Sequence, residues 1–198
     1  MSVPTELKRQ IEVVGWINDN LSCPYNLPSR NQQLAHPCFD LAVEHHAAIC
    51  LLGESGLYGS MYSLLRVEFE ALAKGLWLRH AASNEDILRY EKEDLNIGFG
   101  TILKLIENRL DIPTSILSQL KKRQWEIFSS FTHTGYQAVV RRFNDTHTGP
   151  VNYKETEIVS ALRHAGLFAI LAAVELASMT GNQETIESTM TVARQYGE

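Results

Sequence analysis

An arginine and a glutamate, Arg66 and Glu70, stand in a stretch that is otherwise rich in Leu, Phe and Trp. Residues four apart lie on one face of a helix, so the guanidinium and the carboxylate are expected to pair. Gly59, Ser63 and Ala73 fall on the same strip, and small residues let a second helix or a ligand come close. A guanidinium in such a strip is suited to hold a small anion, if further hydrogen bonds offset the cost of burying its charge.

A second row of residues further along the chain is spaced in steps of four: Trp125, Ser129, His133, Gln137 and Arg141. On one helix this spacing predicts a single ridge that drifts slowly around the axis. Packed against the first strip, the ridge would add a titratable imidazole and an amide.

These two rows together predict a ligand-binding site made of Arg66, Glu70, His133, Gln137 and Arg141. In this site Arg66 and Arg141 contact a small anion or a protein partner, Glu70 orients Arg66, and His133 donates or accepts a hydrogen bond. Two other interpretations stay open. The residues are also consistent with a structural polar network that sets the register of two helices, or with a solvated face.

Metal and cofactor sites have no support in the sequence, and no cofactor is expected. There is no HExxH, no Glu-x-x-His, no P-loop and no GxGxxG. A zinc site made of His36, Cys38 and His45 is conceivable, but the spacing does not favour it. The glycine-rich segment at residues 53–60 follows a predicted helix rather than a strand, so it indicates a turn and close packing.

Helical periodicity runs along the whole chain, and no segment reads as a strand. This predicts an all-α fold, a bundle of about seven or eight helices in a single domain over residues 1–198. The third helix, from about residue 57 to 82, is apolar around most of its surface and should be central. Residues 115–143 form either one long helix or two.

Local signals place several helix ends. The segment from residue 20 to 37 reads as a loop, with Pro37 in the first turn of the second helix. Ser83 and Asp86 have the capping-box spacing, and Pro113 and Thr114 open a later helix. Gly181 ends the long apolar helix that precedes it.

Composition narrows the class of protein. A net charge of −5 and a pI of about 5.8 argue against a general nucleic-acid or anionic-membrane binder. Three cysteines without a CxxC pair, and an N-terminus without an apolar signal, favour a cytoplasmic protein. The longest apolar run is interrupted by Glu175 and reads as too short to cross a membrane. The many apolar helix faces favour a homodimer.

Two segments together resemble a bacterial, all-helical family of unknown function. Its members carry an R-x-x-(F/Y)-E-A…G-x-W-L helix and a later T-H-x-G segment followed by RR. The first motif is matched by Arg66, Phe69, Glu70, Ala71, Gly75, Trp77 and Leu78, and the second by His133, Gly135, Gln137, Arg141 and Arg142. The resemblance covers residues 35–180 and implies a helical intracellular protein without an established activity.

Two arginine–histidine segments are similar to the mark of the HEPN superfamily, helical proteins that include metal-independent RNases. They run from Arg30 to His36 and from Arg141 or Arg142 to His147. The resemblance implies an alternative function, RNA cleavage in a toxin–antitoxin or phage-defence system. Arg would stabilise the phosphate in the transition state and His would move the proton of the 2′-hydroxyl. Such spacings arise by chance about once in a chain of this composition, so they carry little weight.

Overall fold

A single helix in the middle of the chain, Tyr58–His80, organises the bundle. The computed structural model describes residues 2–112, 115–149 and 151–197. In chain order the helices are α1 (Val3–Leu21), α2 (Arg30–Glu54), α3 (Tyr58–His80), α4 (Asn84–Glu91), α5 (Phe99–Arg109), α6 (Ile116–Thr132), α7 (Tyr136–Val140), α8 (Glu155–Thr180) and α9 (Gln183–Gly197). The α3 helix packs against α2, α5, α6 and α8, and it is the central helix that its apolar surface predicts.

The expected all-α class is confirmed. The described residues form nine helices and no strand, in line with the seven or eight that the periodicity predicts. Large side chains of α3, among them Phe69, Leu72 and Trp77, are almost or fully inaccessible to solvent and form the centre of the apolar core. Phe69 stacks on Phe168 of α8 with the ring centroids 4.9 Å apart, which joins the two most buried helices.

The start of α2 differs from the expectation. The helix begins at Arg30, so the predicted loop is too long, and Pro37 lies inside the helix rather than in its first turn. The reason is a capping box that the sequence reading missed. The Ser29 hydroxyl accepts from the backbone of Gln32, and the Gln32 side chain accepts from the backbone of Ser29. Because this cap starts the helix at Arg30, Pro37 lies in the helix interior, where it removes one helical hydrogen bond.

The segment after residue 115 forms two helices, the second of the two alternatives. The α6 helix ends at Thr132, Thr134 adopts a positive φ of 54°, and α7 begins only at Tyr136. Gly135 makes the turn possible, because a Cβ at this position would lie 2.6 Å from the hydroxyl of Ser130. The four-residue ridge predicted for this segment is therefore interrupted between His133 and Gln137.

Two other helix boundaries predicted from the sequence are confirmed. Ser83 and Asp86 form the capping box of α4, and Gly181 ends α8 with a φ of 70°. Pro113 and Thr114, expected to open α6, lie outside the described residues.

By length and composition, the α8 helix is long and apolar enough to cross a membrane. The apolar segment predicted from the sequence is therefore shorter than the helix that the structure shows. Within its most apolar window, 61% is buried inside the bundle. Core helices of soluble proteins share these properties, because a helix surrounded by others is apolar on every side. This finding is therefore weak evidence for a membrane span.

Candidate binding site

Arg66 is the centre of a polar link between α3 and α6. Its Nε donates to Glu70 Oε1 at 2.9 Å, as the four-residue spacing predicts. Its Nη1 lies 2.6 Å from His133 Nε2 and 3.3 Å from Ser129 Oγ. The guanidinium also lies over the ring of Trp125, 4.5 Å from its centroid. The structure thus brings Arg66, Glu70 and His133 together, and we call the group the Arg66 link.

The Arg66 link is supported by hydrogen bonds between the backbones and hydroxyls of the same two helices. Ser63 Oγ donates to the carbonyl of Phe131 at 3.0 Å, and Thr132 Oγ1 lies 3.2 Å from the carbonyl of Ser63. Every contact described for the Arg66 guanidinium goes to another residue of the chain. This geometry is what a network that fixes the register of α6 on α3 requires, and whether the link also binds a ligand stays a prediction.

Gln137 and Arg141 lie beyond the turn at Thr134 and are oriented differently. Gln137 is exposed, and its backbone N–H donates to Ser130 Oγ at 3.0 Å. The Nη1 of Arg141 donates to the carbonyl of Asn152 at 3.0 Å and lies 2.8 Å from Glu157 Oε2. Among the described contacts, neither residue touches the Arg66 link, because the interrupted helix no longer presents them on one ridge.

A cavity of about 210 Å³ lies beside Arg141, between α3, α6 and the first turns of α8. Its wall combines polar side chains with an apolar floor and consists of Tyr62, Gln124, Ile127, Phe128, Arg141, Thr156, Glu157, Ser160, Ala161 and His164. The space is much larger than a single water molecule requires, so it admits several waters or a small organic molecule.

Two groups at this cavity are buried and lack a hydrogen-bond partner among the described residues, the hydroxyl of Tyr62 and Nε of Arg141, and beside them Oε2 of Glu157 forms an ion pair with Arg141 Nη1. We call them the open cluster. Tyr62 is only 6% exposed, whereas the side chains of Arg141 and Glu157 are 18% and 35% exposed. The ion pair between Arg141 and Glu157 leaves the Tyr62 hydroxyl and Arg141 Nε without a partner among the described residues. Buried polar groups without partners are costly, and a ligand in the cavity would satisfy them.

Two titratable groups at the cavity have shifted pKa values. Burial, and next the charge of Glu157, raise the pKa of Tyr62, while Arg141 opposes the shift. Burial lowers the pKa of His164, and its hydrogen bond to the Ser160 carbonyl opposes this. At neutral pH the imidazole is therefore neutral. Nδ1 lies 2.7 Å from the Ser160 carbonyl, so it carries the proton and Nε2 is an acceptor.

A second group of buried polar residues lies between α1, α2 and α3. Gln10, His46 and Glu68 are each 0% exposed, and we call them the closed cluster. Gln10 Oε1 and both carboxylate oxygens of Glu68 lack a hydrogen-bond partner among the described residues. Burial raises the pKa of Glu68 well above its usual value and lowers that of His46 to about 4. Both groups are therefore driven toward their neutral forms.

The closed cluster is joined to α9 and α8 through Gln10. Its Nε2 donates to Glu6 Oε1 at 2.6 Å and lies 2.9 Å from the hydroxyl of Tyr196, which donates to the carbonyl of Arg163. Glu6 in turn accepts from the guanidinium of Arg163 at 2.9 Å. The network holds the N-terminal and C-terminal helices against α8, and this makes a structural role the simplest account of it.

The arginine–histidine segments are not assembled into a nuclease-like pair by any described contact. His147 is exposed and its Nδ1 lies 2.7 Å from the hydroxyl of Thr146, whereas Arg142 lines a separate cavity of about 390 Å³ that His147 does not line. Arg30 forms an ion pair with Glu91 at 2.5 Å, and His36 packs edge-on against Tyr25. Cleavage of RNA by either pair stays an untested prediction.

Three residues of the cavity escaped the sequence reading: Tyr62, Glu157 and His164. Tyr62 is one of the buried residues of the largely apolar α3 helix, where a tyrosine is usually a core residue with a satisfied hydroxyl. Glu157 is one of two acids in the first turn of α8, a common position for a carboxylate that favours the helix dipole. The only usable signal was Arg141, because a buried arginine requires an acidic partner.

The comparisons with known proteins identify a family but no activity. A model of a family of unknown function, DUF6988, matches residues 39–198, which is most of the chain. The chain therefore belongs to this family, and the expected membership of a helical family of unknown function is confirmed. No curated protein and no solved structure matches the chain.

Proposed function

We propose that this member of the DUF6988 family is a binding protein for a small ligand that carries an anionic group, held in the cavity beside Arg141. The observation that carries the proposal is the open cluster. Two buried donors without partners among the described residues, the Tyr62 hydroxyl and Arg141 Nε, line one cavity beside the Arg141–Glu157 ion pair. Natural proteins keep such groups where a ligand or ordered water completes the hydrogen bonds.

Arg141 supplies the charge for the anionic group. Its Nη1 is occupied by Asn152 and Glu157, and its Nε is the buried donor that remains. The hydroxyl of Tyr62 is a second donor on the same wall. Two donors, one from α3 and one from the residue that follows α7, define a direction for an oxyanion and give more specificity than a single surface charge.

The Arg66 link has a supporting role in this proposal. It holds the C-terminal end of α6 on α3, next to the turn that leads into α7 and Arg141. The ligand role predicted for Arg66, Glu70 and His133 is thus replaced by a positioning role. Arg141 keeps its predicted contact with the anion, and Gln137 is given no role.

Thermal shift and calorimetry with carboxylates, phosphate esters and amino acids test this function. A ligand present at about 100 times its Kd stabilises by about 2.7 kcal/mol, which raises Tm by roughly 5 °C or more for a chain of this size. We expect Tyr62→Phe and Arg141→Gln to weaken binding at least about tenfold. Exposed Tyr136→Phe should leave binding unchanged.

Arg66→Met separates the positioning role from a direct contact. We expect it to lower the free energy of unfolding by about 1–2 kcal/mol and to change the ligand Kd by less than about threefold. If no compound raises the Tm of the wild type, the binding function is wrong. If Arg66→Met abolishes binding while the Arg141 and Tyr62 variants retain it, the site is at the Arg66 link instead.

A further inference from the structure

The cavity beside Arg141 has charges of both signs on its wall. Arg141 Nη1 and Glu157 Oε2 are 2.8 Å apart, and both residues line the cavity. Two unit charges 4 Å apart interact with about 4 kcal/mol at an effective dielectric constant of 20. A simple anion placed beside both residues is therefore attracted by one and repelled by the other to a similar extent. This arrangement selects against ligands that carry only a negative charge.

Hydrogen-bonding groups of both kinds are available in the same space. Arg141 Nε is a donor, and the Tyr62 hydroxyl donates when its proton is retained, which its raised pKa ensures. Glu157 Oε2 and His164 Nε2 are acceptors, the latter because Nδ1 faces the Ser160 carbonyl. A ligand that satisfies this wall must offer an acceptor and a donor side by side.

The rest of the wall is apolar and the space is small. Ile127, Phe128 and Ala161 come from α6 and α8 and present hydrocarbon to the cavity. A volume of about 210 Å³ accommodates a small molecule with one short apolar substituent, whereas most of a nucleotide would remain outside.

We propose that the ligand is a zwitterion of the free α-amino-acid class. Its carboxylate binds Arg141 Nε and the Tyr62 hydroxyl, its ammonium group binds Glu157, and its side chain packs on Ile127, Phe128 and Ala161. In an α-amino acid the two charged groups are attached to one carbon, which matches the adjacent cation and anion of the protein. The inference rests on the proposed binding function and specifies its ligand.

The test compares each free amino acid with its blocked derivatives by calorimetry. The N-acetyl derivative keeps the carboxylate and lacks the ammonium charge, and the amide derivative keeps the ammonium and lacks the carboxylate. We expect at least one amino acid with a small apolar side chain to bind. Each blocked form of that amino acid should bind at least about tenfold more weakly.

Glu157→Gln distinguishes the ammonium contact from a general effect on the fold, because it keeps the shape and removes the charge. It should weaken binding of the free amino acid at least about tenfold and leave binding of the N-acetyl derivative unchanged or stronger. Glu184→Gln is the matched control, because Glu184 lies in the first turn of α9 and does not line the cavity. This control should bind like the wild type.

The two proposals fail in different ways. If N-acetyl derivatives or simple carboxylates bind as tightly as free amino acids, the zwitterion is wrong and the binding function stands. If Glu157→Gln strengthens binding of every ligand equally, the ammonium contact is wrong in the same way. If neither amino acids nor any anion binds to the wild type, both proposals are overturned.

Discussion

The open cluster and the closed cluster both contain a residue of α3 whose side-chain polar atoms lack hydrogen-bond partners in the described part of the chain, yet their surroundings differ. Tyr62 of the open cluster borders a cavity with partly exposed Arg141 and Glu157. Glu68 of the closed cluster, less than two turns further along α3, is 0% exposed, as are its neighbours Gln10 and His46. A ligand from solvent is able to complete the first group, and only the protein itself is able to complete the second.

A buried polar group without a hydrogen-bond partner therefore has different consequences in the two clusters. A partnerless group beside a cavity is a specificity element, because the right ligand restores its hydrogen bonds. A partnerless ionisable group without access to solvent changes its protonation state instead, since burial of an uncompensated charge is too costly. The closed cluster is therefore expected to determine how stability depends on pH, whereas the open cluster determines what binds.

The largest expected effect concerns His46. Its folded-state pKa of about 4 lies below the usual 6.5, so the unfolded state takes up the proton first as the pH falls. The contribution is fully present above about pH 6.5 and is lost between 6.5 and 4, by about 3 kcal/mol. Urea unfolding at a series of pH values should show a shallower acid slope for His46→Gln. Exposed His147→Gln should keep the slope of the wild type, and an unchanged slope in His46→Gln would contradict the neutral buried imidazole.

A pair of glycine substitutions compares the packing around Gln10 of the closed cluster with the packing in the first turn of α3. A Cβ on Gly166 would overlap Gln10 and the hydroxyl of Tyr196, whereas a Cβ on Gly59 would meet only Tyr153 Oη at 3.2 Å. We expect Gly166→Ala to lower the free energy of unfolding by about 2 kcal/mol, because the network around Gln10 must shift. Gly59→Ala should be neutral or stabilising by up to about 1 kcal/mol, since alanine favours the helix. Chemical denaturation measures both, and equal effects would contradict the tight packing around Gln10.

A smaller effect is expected for Glu68→Gln. Because burial raises the pKa of Glu68, the folded state holds a proton that the unfolded state releases above about pH 4.5, and stability is lost as the pH rises from there. The glutamine variant lacks this loss, so it should be more stable than the wild type at pH 8 by about 1 kcal/mol. The difference should shrink toward pH 4. A gain that is independent of pH, or equal in exposed Glu126→Gln, would show that the carboxyl group is not the cause.

The sequence predicts those features of the fold that depend on the spacing of residues within one helix. The apolar circumference of α3 predicts its central position, and the Ser83–Asp86 spacing predicts the start of α4. The start of α2 was missed, although Ser29 and Gln32 form a capping box, because the nearby prolines favoured a loop. Each of these signals lies within one or two helical turns, where backbone geometry leaves few alternatives.

The sequence predicts only part of the candidate site, because part of it depends on how the chain turns after α6. The predicted row of residues from Trp125 to Arg141 continues along α6 only as far as His133. The turn through Thr134 and Gly135 interrupts it before Gln137 and Arg141. A single interruption of a helix rotates and translates all residues beyond it, so Arg141 reaches Glu157 rather than Arg66. No pattern in the sequence distinguishes Glu157 from the neighbouring acids of α8.

The sequence by itself determined the helical class, most helix ends and the pairing of Arg66 with Glu70, because these depend on the spacing of residues within one helix. Only the tertiary structure decided that Tyr62, Arg141 and Glu157 share a cavity and that Glu68 is enclosed. These residues lie far apart in the sequence, on different parts of the fold. The distances between them depend on how the helices pack, and the spacing of residues along the chain does not predict those distances. Burial then sets the chemistry, since the same carboxyl group is charged at a surface and neutral in a sealed interior.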